Sequence, residues 1–194
     1  IVFVILFQAF LIQAQEASNF AFKGYLKDIQ NVFIPKPDSL PWFSDNTFEN
    51  RLQLKYYPKS WLTFDVQVRN RFMYGDFVKL IPGYKSYIDS HMGYFDLASL
   101  WGNNKSFLGY SEIDRLNASL TFNKLQITLG RQRVNWGIGL VWNPNDIFNT
   151  YNYFNFEYEE RPGADALSVK YYTGALSFAE IVYEFNETFD KSSF

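Results

Sequence analysis

Polar and apolar residues alternate with a period of two along much of this chain. Over Thr47 to Tyr57, Phe48, Leu52, Leu54 and Tyr56 fall on one face and Glu49, Arg51, Gln53 and Lys55 on the other. Period two is the repeat of an extended strand. Asn50 is the one polar residue on the apolar side. After Pro58-Lys59-Ser60, residues Trp61 to Tyr74 set Leu62, Phe64, Val66, Val68, Phe72 and Tyr74 against Thr63, Asp65, Gln67, Arg69 and Arg71. The same pattern predicts strands over Ile113 to Phe122 and Leu125 to Val134, joined at Asn123-Lys124. A third hairpin is predicted from Asp165 to Tyr172 and Ala175 to Phe185 around Thr173-Gly174. A first strand, Phe20 to Gln30, alternates poorly.

All seven prolines fall outside these seven predicted strands, as a residue that cannot donate to a ladder should. The connections alternate in length. Those at Pro58, Asn123 and Thr173 are tight, whereas Asn31 to Asn46, Gly75 to Glu112 and Asn135 to Ala164 are long. Transmembrane barrels of the outer membrane show this asymmetry, with short turns in the periplasm and long loops outside. Aromatic residues gather at both strand ends, as the two interfacial girdles of such a barrel require. The expected fold is therefore all-β, an antiparallel up-and-down transmembrane β-barrel. A secreted soluble β-sandwich also alternates, but its strands run to about five or six residues.

The N-terminus supports export. Ile1 to Ile12 is almost unbroken apolar sequence followed by Gln13-Ala14-Gln15, which reads as a signal peptide over residues 1–15 without its basic leading region. The run is too short for a membrane-spanning helix, which needs about 20 apolar residues. Residues 16–194 then form the barrel portion. Seven strands is odd where single-chain bacterial barrels have even counts, so the sequence reads as the N-terminal part of a longer barrel. Composition narrows the classes further. There is no cysteine, so no disulfide framework exists, and a net charge of −2 gives no nucleic-acid footprint. Aromatics reach 21%, as suits a sheet with one apolar and one wet face.

If the apolar face meets lipid, Glu49, Arg51, Asp65, Arg69, Arg71, Asp114 and Arg115 line the lumen, because a lipid-facing charge costs about 2–4 kcal/mol near the midplane. Arg51, Arg69, Arg115 and Arg131 stand at similar heights above the short turns, as one cationic tier. Strict alternation would aim Arg131 and Arg133 at lipid beside Leu129. A β-bulge at Gly130 is expected to turn both inward. Such a tier would favour anions, unless its arginines pair with Glu49, Asp65 and Asp114 and only stiffen the wall.

The most distinctive stretch is Leu129-Gly130-Arg131-Gln132, Asn135-Trp136-Gly137, Asn143-Pro144-Asn145-Asp146 and Arg161-Pro162-Gly163. This series resembles the motifs of uncharacterised Bacteroidota outer-membrane porin-like barrels and the related DUF1302-type family, which are similar to alginate-export and phosphate-selective porins. The resemblance implies a barrel with a long loop after the Gly130-Arg131-Gln132 strand, folded into the lumen or packed outside. It carries no substrate residue. Aromatics alternate with Asn and Glu over Tyr151 to Tyr158, a pattern that fits loop packing or a sugar-stacking slide.

Enzymatic chemistry is thin. The single histidine, His91, could join Ser90 and Asp96 only on paper, and no metal, phosphate or cofactor motif is present. The function expected is a passive channel for small polar or anionic solutes, without cofactor, in contact with outer-membrane lipid and lipopolysaccharide. A non-channel barrel that serves as an adhesion or assembly platform, and a secreted carbohydrate-binding sandwich, are the alternatives.

Overall fold

Long runs of alternating β-branched, aromatic and polar residues pair in register into a single antiparallel sheet. The computed structural model describes residues 19–34, 41–88, 93–103, 106–136, 163–175 and 177–185. Its strands are β1 (Phe20–Phe33), β2 (Phe43–Lys59), β3 (Leu62–Gly75), β4 (Ala98–Asn103), β5 (Phe107–Phe122), β6 (Leu125–Gln132), β7 (Ala164–Tyr172) and β8 (Phe178–Glu184). Two short helices, α1 (Asp76–Leu80) and α2 (Tyr84–Ile88), follow β3. The order across the sheet is β1-β2-β3-β5-β6-β7-β8, with β4 paired to β5. The sheet is not closed, since β1 and β8 are its edges. Among the described residues no helix is long and apolar enough to cross a membrane.

The fold corrects several expectations. Among the described residues eight strands are present rather than seven, because the expected loop Gly75 to Glu112 holds β4, both helices and the first residues of β5. Seven of them follow one another across the sheet, and β4 lies off that path beside β5. Pro58 lies inside β2 rather than beyond it, at the register shift between Tyr56 and Lys59. A bulge at a strand end tolerates a residue with no N–H. β6 stops at Gln132, short of Val134, and the first strand is longer than its weak alternation suggested. The residue 1–15 signal and His91 with Ser90 lie outside the described residues. So do Gly137, Asn143, Pro144, Asp146, Pro162 and the Tyr151 to Tyr158 stretch.

Because neighbours run antiparallel, the β2–β3, β5–β6 and β7–β8 connections share one end of the sheet and the longer ones share the other. At the short end, Asn123 takes the left-handed conformation (φ 49) that Asn tolerates better than other side chains. At the long end α1 is tied down by Asp76, whose carboxylate accepts hydrogen bonds from the Ser44 N–H (2.8 Å) and hydroxyl (3.2 Å). The Ser44 N–H holds this carboxyl below its ordinary pKa. Val78 and Ile88 then pack with Met73, Leu108 and Tyr110 into a small apolar core against the sheet.

The two faces of the sheet invert the usual burial. Phe48, Leu52, Leu54, Phe64, Leu116, Leu129, Tyr171 and Ile181 are between 37% and 75% exposed, whereas Glu49, Arg51, Arg69, Arg71, Asp114 and Arg115 are 1–6% exposed. In an ordinary soluble domain charged side chains are almost never fully buried, and then only when paired.

Candidate functional site: a buried array of ion pairs

The register stacks the charged residues in rows across β2, β3 and β5. Gln53, Gln67 and Arg115 share one row, Arg51, Arg69 and Glu112 the next, and Glu49, Arg71 and Tyr110 the third. Placing Arg51 directly opposite Arg69 would repel. The repulsion is relieved by a β-bulge, and its position differs from the expected one. Gln67 pairs with Arg115 and Val68 with Ile113, leaving Asp114 as the extra residue on β5. A bulge aims consecutive side chains to one side, so Asp114 and Arg115 are both buried. Asp114 accepts from Arg51 and, at 2.8 Å, from Arg115 Nη1. Glu112 pairs with Arg69. The Arg71 guanidinium lies 4.8 Å over the Tyr110 ring, and Tyr25 donates to Glu49 Oε1 at 3.0 Å.

Towards the short connections the same face is more open. Lys55 sits 3.7 Å from Asp65, with Gln53 and Gln67 donating to that carboxylate. Asp65 therefore pairs with a lysine and two amides, not with the arginine tier.

At Gly130 the pairing of β6 with β5 and β7 continues without a shift. The expected bulge is absent, but the position is special nonetheless. Gly130 has φ 114, and a Cβ there would collide with the Leu116 carbonyl oxygen. Arg131 is buried and makes a bidentate pair with Asp165, Nε to Oδ1 at 2.9 Å and Nη2 to Oδ2 at 2.7 Å. Arg133 lies beyond the end of β6 and is exposed; the bulge expected to turn both arginines inward is not there. Gln132 Nε2 donates to the Thr128 and Ala166 carbonyls. Trp136 Nε1 donates to Glu180 Oε2 at 3.0 Å. Gly163 is packed so closely on Arg131 Cγ, Arg115 Nη1 and the Asp114 carbonyl that no side chain fits. The described residues of the motif series thus build architecture around Arg131.

Replacing Gly130 by alanine should cost about 1–3 kcal/mol from the backbone conformation alone, with the Leu116 collision added. A urea unfolding midpoint unchanged in the variant would contradict this geometry.

Glu112, Asp165 and Tyr110 belong to the array and were not singled out from sequence. Glu112 and Tyr110 were assigned to a loop, because the slip at Asp114 puts Leu108, Tyr110 and Glu112 out of phase with the alternation of Arg115 to Phe122. Compared with family models, curated proteins and solved structures, the chain matches none.

Proposed function

We propose that this chain forms wall strands of an outer-membrane β-barrel that passes small polar solutes by passive diffusion. The observation that carries this reading is the inversion of burial, with apolar side chains outward and charges inward. In water such a sheet exposes a large apolar surface, whereas in lipid it solvates each face correctly.

Aromatic spacing supports the same reading. Phe20, Tyr56 and Phe64 stack near the short connections, beside the Trp61–Phe122 pair. Phe72 meets Tyr74, Trp101 and Phe107 towards the long ones. From Tyr56 to Phe48 the strand climbs about 26 Å, or about 20 Å along the normal at a tilt of about 40°, close to the apolar band of about 25 Å. The short connections would then be periplasmic and the segment bearing α1, α2 and β4 extracellular.

Since Arg51, Arg69, Arg115 and Arg131 each contact a carboxylate, the field reaching a permeating ion is largely one of dipoles. We therefore place solute choice on polarity and size rather than strong anion selection. The complete barrel in planar bilayers should conduct, with a reversal potential in a salt gradient close to zero. Glu112→Gln should uncover the charge of Arg69 and move that potential towards the anion limit. Absence of conductance would favour the platform reading, and solubility without detergent the sandwich.

A further inference from the structure

One side of β5 has two successive neighbours. β6 pairs with it from Phe122 up to Leu116, and β4 pairs with it from Glu112 up to Leu108. β4 and β6 both run antiparallel to β5, so they meet end to end. The last ladder bond below β4 runs from the Ile113 N–H to the Leu97 carbonyl at 2.9 Å. Among the described residues no strand pairing spans Asp114 and Arg115 on that side.

Side chains close this joint. Arg131 Nη2 donates to the Phe95 carbonyl and Nη1 to that of Ile113 at 3.4 Å, while the Phe95 N–H donates to Asp165 Oδ2 at 3.0 Å. The guanidinium fits because Gly93 has no side chain, and a Cβ there would strike both Arg131 Nη2 and Asp165 Oδ2. The pair is nearly sealed, at 7% and 3% side-chain exposure.

We propose that Arg131 and Asp165 are a latch, and that the unit bearing β4 is a flap which, when the latch opens, parts from the end of β6 and peels from β5, leaving the β1–β2–β3 and β6–β7–β8 ladders paired. The reason is the nature of the joint: elsewhere neighbouring strands are held by continuous rows of backbone hydrogen bonds, whereas here, among the described residues, the Arg131–Asp165 pair and its bonds to the peptides of Tyr94, Phe95 and Ile113 span the gap. Local opening follows the least-bonded boundary. Within the channel reading above, the flap would open the wall sideways, but the latch is a property of the fold and its test does not require conduction.

The test is hydrogen exchange on the full chain folded in detergent, read over peptides covering 93–103, β2–β3 and β6–β7. Arg131→Gln should raise exchange over 93–103 by about tenfold or more, with the other peptides unchanged. Gly93→Ala, which crowds the latch without removing a charge, should do the same if Arg131→Gln does not fold. Wild-type exchange over 93–103 in the folded variants would overturn the proposal. Equal acceleration across β2–β3 would also overturn it, by making Arg131 a strut of the whole wall.

Discussion

Leu52→Arg is expected to destabilise the folded chain in lipid by about 2–4 kcal/mol. Leu52 lies on the outward face opposite Val68, between the two aromatic groups, and is 37% exposed. In a water-soluble sandwich an exposed leucine changed to arginine usually alters stability by under about 0.5 kcal/mol. The substitution therefore separates the two readings by its size. Gln53→Arg, one residue away on the opposite face, should be well tolerated because that face is polar. Urea unfolding from lipid vesicles measures both. A small effect at Leu52 together with a large one at Gln53 would mean that the faces are assigned the wrong way round.

Asp114→Ala should have an effect of similar or greater size, by a different cause. Its carboxylate receives both Arg51 and Arg115, and all three side chains are at most 5% exposed. Removing one partner of a buried ion pair leaves uncompensated charge and typically costs about 3–5 kcal/mol. Here two guanidinium groups lose their common acceptor while Arg69 still faces Arg51 across the register. Lys55→Gln is the comparison: its side chain is 39% exposed and 3.7 Å from Asp65, and such pairs are worth about 0–1 kcal/mol. If Asp114→Ala lost no more stability than Lys55→Gln, the array would be bathed in water and its arginines free to act on passing ions.

These two expectations rest on different kinds of information. The outward face of β2 and β3 was legible in the sequence, because strand geometry alone sends alternate side chains to opposite faces. The same alternation located the hairpins at Asn123 and Thr173 and came within two residues of the one at Ser60-Trp61, and the sorting of short and long connections to opposite ends followed from antiparallel order. Residues such as Glu49, Arg51, Arg69 and Arg71 were assigned to one face for the same reason.

What alternation could not supply was which charges meet. That depends on register between strands distant in sequence, and on where a bulge breaks the phase. Gly130 carried the conformational signal of a bulge in its identity, yet the extra residue is Asp114, because only there does the pairing of β3 with β5 slip. Gly130 instead lets the backbone pass Leu116 at a positive φ. β4 was hidden because a six-residue strand within a long irregular segment has too few periods to register, and it exists through pairing with β5. The sequence by itself determined seven of the described strands, most of their faces and the ends at which they turn, since those follow from local backbone geometry. Only the tertiary structure decided that the arginines are matched to Asp114, Glu112 and Asp165, because ion pairing is set by distances between strands that no local pattern encodes.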